Sequence, residues 1–156
     1  MVLFSGGIDS TTCLALAIEK YGKENVIPLS VFYGQKHEKE VEAASIALSL
    51  DCQVIYYGAH MDDAAGNAYP DCSQAFYDSM NQAVWEGSGK ALRIEAPFIN
   101  QNKAQIVARG LELKAPYQFT WNCYEGKERP CGVCGTCIDR RKAFEANGIK
   151  DPALGE

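Results

Sequence analysis

The feature that most constrains this chain lies in its first twelve residues, where the apolar run Met1-Val2-Leu3-Phe4 meets Ser5-Gly6-Gly7-Ile8-Asp9-Ser10. The apolar run reads as a short buried strand, and a helix is expected to begin near Asp9 or Ser10. Paired glycines let the backbone fold back between the two and leave nothing bulky over its N–H groups. Those amides, with the first amides of the helix, form a concave anion site at the positive end of the helix dipole. Ser5, Ser10, Thr11 and Thr12 add hydroxyl donors, and Asp9 suits a hard cation that accompanies phosphates. A bare turn with Ser10 as its N-cap is the plainer alternative. The crowding of polar groups into one turn favours phosphate.

The loop is not a Walker A loop, because no Gly-Lys-Ser/Thr follows, and it lacks the Gly-x-Gly-x-x-Gly of a Rossmann fingerprint. It resembles the Ser-Gly-Gly-x-Asp-Ser signature of the ATP pyrophosphatase (PP-loop) families, which cradle the pyrophosphate of ATP while the α-phosphate is attacked. Downstream, Leu14, Ala17, Ile18 and Tyr21 share one helix face, Gly22 closes that helix, and Val26 to Tyr33 reads as a second strand. Strand, helix and strand predict a βαβ unit in a parallel sheet. Ligands of such sheets bind beyond the carboxyl ends of the strands, where Ser5 and Tyr33-Gly34-Gln35 should lie.

Farther along, Cys52 to Gly58 predicts a buried strand that runs into a polar loop containing His60, Asp62 and Gly66-Asn67. Ser73 or Asp71 caps a helix with Phe76, Met80, Ala83 and Val84 inside, and Ala91 to Glu95 is a weaker strand. Asn100 or Asn102 caps a helix facing inward with Ala104, Val107, Ala108 and Leu111. Pro116 to Trp121 reads as a final short strand and Ile138 to Ala146 as the last helix. The expected class is α/β, a doubly wound parallel sheet, Rossmann-like and, by the resemblance, adenine nucleotide alpha hydrolase-like. A zinc-binding loop and helix complete it at the C-terminal end.

A chain of 156 residues is most simply one domain, 1–156, with 121–148 as a zinc-binding subregion. Its net charge of −5 argues against binding a nucleic-acid backbone, since Arg140-Arg141-Lys142 is too small a cluster to reverse the balance. No apolar run has the length of a membrane span. The chain opens on a strand rather than on a basic segment with a cleavage site, so a cytoplasmic location is expected.

Seven cysteines are unevenly spread, and four of them form Cys123-x7-Cys131-x2-Cys134-x2-Cys137. Cys-x-x-Cys spacing lets two thiolates reach one tetrahedral ion, and Gly132 and Gly135 permit tight turns between them. Four ligands close the shell, so a Zn2+ there would be structural. An iron–sulfur cluster competes, because the last three cysteines match part of a bacterial ferredoxin pattern, although the Cys-Pro that usually follows is absent. Four unrelated buried thiols are the third reading.

The loop and the quartet together resemble the QueC family of 7-cyano-7-deazaguanine synthases. Gln35-Lys36-His37, Tyr69-Pro70-Asp71-Cys72, Asn102-Lys103-Ala104 and Trp121-Asn122-Cys123-Tyr124 are further matching strings. The resemblance implies an ATP-dependent ligase in queuosine precursor biosynthesis. It would join 7-carboxy-7-deazaguanine and free ammonia through an acyl-adenylate and an amide. It also implies a homodimer. Phe4, Ser5, Gly6, Gly7, Ile8, Asp9, Ser10, Thr11 and Thr12 would then bind ATP, with Mg2+ on Asp9. Asp9, Ser10 and Lys103 would serve catalysis, while Asp62, Tyr69 and Asp71 would line the deazapurine pocket.

Plainer roles stay open for several of these: Lys103 as a solvated side chain and Tyr69-Pro70-Asp71 as a turn with a helix cap. His37, His60 and Cys72 carry no assigned role. The chain also departs from the family pattern. Glu40-Val41-Glu42 passes straight into Ala43-Ala44-Ser45-Ile46-Ala47, where family members carry several dozen more residues, so an internal segment near residue 43 is expected to be absent. Two rivals complete the expectations: a tRNA-thiolating PP-loop enzyme with an iron–sulfur cluster, and a non-catalytic, zinc-stabilised nucleotide-binding module.

Overall fold

The computed structural model describes residues 1–30, 39–64, 69–125 and 128–153. Tyr33-Gly34-Gln35, Gln35-Lys36-His37, Gly66-Asn67 and the later part of the second strand lie outside the described residues. Four short strands, β1 (Val2–Leu3), β2 (Pro28–Leu29), β3 (Val54–Tyr56) and β4 (Arg93–Glu95), pair in parallel in the order β2-β1-β3-β4. Helix α1 (Ile8–Tyr21) joins β1 to β2, and α2 (Lys39–Ser49) precedes β3. Helices α3 (Met61–Ala64) and α4 (Gln74–Gly87) come before β4, with α5 (Lys103–Glu112) and α6 (Gly135–Ala146) after it. The path leaves β1 toward β2 and returns to β3 on the opposite side of β1. A crevice therefore opens beyond the carboxyl ends of β1 and β3, at the switch point of the sheet.

Helices cover both faces. Val54 and Tyr56 pack with Cys13, Ala17, Ile106, Val107 and Phe144, whereas Ile55 between them packs with Ala47, Val84 and Leu92 on the other side. This alternation is the two-residue period of a strand buried on both faces. Each fully buried side chain of this size contributes about 1.5–3 kcal/mol of transfer free energy.

Several inward faces differ from the expected ones. Helix α1 buries Ser10, Cys13 and Ala17, while Ile18 is 40% exposed, because α5 lies against α1 and moves the covered arc. Helix α5 buries Ile106, Val107 and Gly110 and leaves Leu111 in solvent. Helix α4, capped by the Ser73 hydroxyl on the Phe76 N–H, faces inward with Tyr77, Met80 and Val84, not Ala83. Among the described side chains of α2 only Ala43 and Ala47 are buried; Ile46 and Leu48, with Leu50 just after the helix, remain exposed. Residues 116–121 are not a strand. Tyr117–Phe119 form a 3₁₀ turn closed by the Thr120 hydroxyl on the Tyr117 carbonyl (2.7 Å), which buries Tyr117 and turns Phe119 outward. Helix α6 starts three residues earlier than expected, so Gly135 is its first residue rather than a turn.

Gly110 is required by a close approach. A Cβ there would overlap the Tyr117 hydroxyl, which bonds Thr12 Oγ1 (2.7 Å) and the Ile106 carbonyl (3.3 Å). Gly110→Ala is expected to cost ~3 kcal/mol through overpacking and loss of that buried pair. An unchanged urea midpoint would refute the packing argument.

Candidate active site

The loop after β1 is held from within and from the distant end of the chain. Gly6, at φ +83°, turns the backbone, and Gly7 is the N-cap of α1. The Gly7 carbonyl accepts from Thr11 N–H (3.1 Å) and the Ser10 hydroxyl (3.2 Å). Ser10 Oγ accepts from Ser5 N–H (3.2 Å) and lies 3.1 Å from Ser5 Oγ, so the two serines brace the turn. From the C-terminal third, Trp121 N–H donates to the Gly6 carbonyl (3.0 Å), and Asn122 Oδ1 accepts from Ile8 N–H (3.3 Å).

The expected loop residues do not all face the same way. Phe4 is tied to β2 through the Leu29 carbonyl (2.9 Å) and the Ser30 hydroxyl (2.7 Å). Ile8 has its side chain fully buried and its N–H taken by Asn122 Oδ1, so it shapes the turn. Thr12 points into the core, where its hydroxyl donates to the Ile8 carbonyl (2.8 Å) and pairs with Tyr117. Thr11 Oγ1 is buried and has no partner among the described residues.

Beside the loop, residues from three strand ends form a charged cluster. Lys103 Nζ, at the start of α5, lies 2.5 Å from Asp9 Oδ2 and 3.0 Å from His60 Nε2. His60 Nε2 also lies 3.6 Å from Asp9 Oδ2 and 3.0 Å from Asp63 Oδ2. The loops that carry these groups are joined, because Met61 N–H donates to the Gln101 carbonyl (3.2 Å). Burial pushes the Asp9 carboxyl up, but the Lys103 ammonium and His60 outweigh it and hold the group below its ordinary value. Burial likewise disfavours a charged His60, yet Asp63 and Asp9 raise it to about 9. Asp9 Oδ1 and His60 Nδ1 are buried without partners among the described residues. Ligand atoms of Asp9, His60 and Asp63 all lie within 4.8 Å of one another.

The three residues expected in the deazapurine pocket are only partly brought here. Asp62 Oδ2 accepts from Lys103 N–H (2.7 Å), which caps α5 beside the Asn102–Gln105 capping box. Asp71 meets the Tyr57 hydroxyl through its backbone carbonyl (3.0 Å). Tyr69 hydrogen-bonds Tyr124, whose hydroxyl is pushed to about 12 by that bond first, then by burial, with Asp63 and Asp9 adding. Tyr69 adjoins the cluster through its N–H on the Asp63 carbonyl (3.0 Å), and Asp62 adjoins it through the Lys103 backbone. His60 proves central, and Asp63, Tyr124 and Asn122 were given no role by sequence reasoning. The i, i+3 spacing of His60 and Asp63 was the available signal.

The four cysteine sulfurs also lie within 4.8 Å of one another. Cys123 Sγ and Cys134 Sγ are 4.0 Å apart, close to the ~3.8 Å edge of a tetrahedron with Zn–S bonds of about 2.3 Å. Backbone N–H groups of Cys131 and Cys134 donate to Cys123 Sγ and Cys131 Sγ, each at 3.3 Å. Cys134 is the N-cap of α6 and Cys137 lies in its first turn, where the helix dipole favours thiolates. The Thr136 hydroxyl and the Cys137 N–H lower the Cys134 thiol to about 6, while burial raises Cys137 to about 12. This donor set fits a tetrahedral metal such as zinc.

Arg140 belongs to the interior, not to a basic surface. At 4% exposure it holds Asp151 through Nε (2.5 Å) and Nη2 (2.8 Å). Its Nη1 donates to Thr120 Oγ1 (2.8 Å) and Asn122 Oδ1 (3.0 Å), and Nη2 to the Tyr117 carbonyl (3.2 Å). Among the described residues no helix is long and apolar enough to cross a membrane.

A parallel α/β sheet, a Ser-Gly-Gly loop at its switch point and a four-thiol cluster define a PP-loop type of Rossmann-like protein. The model of the family described as queuosine biosynthesis protein QueC matches residues 1–47 and 42–148. The chain belongs to this family. Curated relatives carry the name 7-cyano-7-deazaguanine synthase. One from Archaeoglobus fulgidus is 32% identical over 218 residues, spanning all of this chain and 90% of the relative. A second, from Psychromonas ingrahamii, is 42% identical over 220 residues, spanning all of this chain and 97% of the relative. The relative from Caldicellulosiruptor bescii is 32% identical over 213 residues, covering 97% of this chain and 95% of its own length.

Proposed function

We propose that this chain is an ATP-dependent ligase that makes 7-cyano-7-deazaguanine from 7-carboxy-7-deazaguanine and ammonia. The observation that carries the reading is the Asp9–His60–Asp63–Lys103 cluster beside the Ser-Gly-Gly loop. A carboxylate oxygen of the substrate attacks the α-phosphorus of ATP, pyrophosphate leaves, and an acyl-adenylate forms. Ammonia adds to the acyl carbon, AMP departs and a proton is lost, giving the amide. The amide oxygen then attacks the α-phosphorus of a second ATP and pyrophosphate leaves; departure of AMP with loss of both amide protons leaves the nitrile.

The loop amides, with Ser5 and Ser10, orient the phosphates. Lys103 is placed to neutralise charge on the departing pyrophosphate. The orphaned Asp9 Oδ1 and the Asp63 carboxylate fit a hard cation, and Mg2+ there would offset phosphate charge. Zn2+ on the four thiols would serve shape alone.

Incubating the metal-loaded protein with ATP, Mg2+, ammonia and 7-carboxy-7-deazaguanine should yield a product with the mass of the nitrile. Its absence alongside intact ATP binding would leave only the nucleotide-binding module. We also read the assembly as a homodimer, which light scattering at the mass of one chain would rule out.

A segment absent near residue 43 completes this reading. Alignment with the Archaeoglobus fulgidus relative runs over 218 positions against 156 residues, leaving 62 positions of the relative unmatched. The family match breaks and restarts over residues 42–47, and Ile46, Leu48 and Leu50, at and just beyond that point, stand exposed. An intact mass of 17.1 kDa for the protein isolated from its source would remove the idea.

A further inference from the structure

We infer that Asn122 is a phosphate ligand, and that Arg140 and Asp151 exist in part to aim it. The inference rests on the nucleotide reading of the Ser-Gly-Gly loop.

Two donors converge on the same end of the Asn122 side chain: Arg140 Nη1 at 3.0 Å and Ile8 N–H at 3.3 Å. A guanidinium has no acceptor, so only the side-chain oxygen can face both. The NH2 end is therefore turned the other way, and it lies over Gly7, where a Cβ would stand 3.3 Å from Asn122 Nδ2. Among the described residues nothing accepts from that nitrogen. Asn122 thus presents a fixed donor over the turn at Gly7, beside Ser5 Oγ and the Trp121 carbonyl, each 3.7 Å from the same Cβ position.

The surroundings explain why the donor stays fixed. Arg140 is almost fully buried, and Asp151 balances its charge with two hydrogen bonds. Thr120 and Tyr117 satisfy further guanidinium N–H groups, so Arg140 has one orientation, and Asn122 inherits it. The pair acts at a distance from any ligand, which makes Arg140 and Asp151 positioning residues. The choice of Asn over Asp carries the same message. A carboxylate would accept from Arg140 and from Ile8 N–H at least as well, because charge-assisted hydrogen bonds are stronger. It would also turn an oxygen toward the loop where the amide places a donor, and an anion there would be repelled.

This contrast supplies the test. ATP binding is measured by calorimetry on the zinc-loaded chain for wild type, Asn122→Ala and Asn122→Asp, with zinc content and thermal midpoint recorded for each. A residue that only clamps the loop predicts that Asp binds better than Ala, since Asp keeps both clamps. A residue that donates to phosphate predicts the reverse: about a tenfold loss for Ala and about a hundredfold loss for Asp. Inorganic pyrophosphate should follow the same order as ATP. Asp equal to or tighter than Ala, or Asp within twofold of wild type, overturns the inference. If Ala fails to fold, Asp against wild type decides alone. Wild type that binds neither ATP nor pyrophosphate instead defeats the nucleotide reading itself.

Discussion

Asp9→Asn is expected to lower nitrile formation by ~10²–10³-fold, the range for removing one preorganised charge from a transition state, with the zinc content unchanged. The carboxylate is the point where the Lys103 ammonium and His60 meet, and its free Oδ1 is the buried acceptor best placed for a cation. The amide would leave two positively inclined groups facing each other without their counter-charge. Stability should fall by about 2 kcal/mol, less than for a fully buried pair, because Asp63 remains and the site is partly open. Rates from a mass-detected assay and midpoints from urea unfolding give the two numbers. Turnover within tenfold of wild type would remove Asp9 from the chemistry.

The second large effect concerns the thiols. Removal of the metal with a strong chelator, or Cys134→Ser, should lower the thermal midpoint by ~10 °C or more, since metal binding in such sites is also folding free energy. The loss should spread to the nucleotide loop. Cys123 directly follows Asn122, and the Trp121 indole N–H donates to the Cys123 carbonyl (2.8 Å). When the ligand segment loosens, the Trp121–Gly6 and Asn122–Ile8 bonds lose their support. ATP affinity should therefore fall together with metal content in a titration. Full ATP affinity in the metal-free chain would show the two sites to be independent.

What could be read from the chain beforehand was what is local. The turn at Gly6-Gly7 and the spacing of the four cysteines are contained in short stretches, so their geometry follows from a few dihedral angles and ligand distances. The doubly wound sheet was legible for the same reason, from alternating strand and helix signals. Asp9, His60 and Lys103 are another matter, because they follow three different strands and meet only through the order β2-β1-β3-β4. Nor could the chain distinguish Asp62 from Asp63. One turn of helix sends the first to the α5 backbone and the second to His60. The inward faces of α1 and α5 were misplaced because each helix packs on another helix as well as on the sheet, which widens and shifts the covered arc. Thr12 looked like one more loop hydroxyl until Tyr117, 105 residues away, claimed it.

That separation also orders the events of synthesis. Ile8 and Asn122 are 114 residues apart, so the first turn of the site leaves the ribosome well before its brace exists. At roughly 5–20 residues per second the interval is on the order of ten seconds. During it, β1 can pair with β2 across α1, but the Gly6 carbonyl and the Ile8 amide still lack their partners from the far end. The segment that supplies them is the one that brings the first of the four thiols. Loop and metal cluster therefore mature in one late step. A chain released early is deficient in both at once.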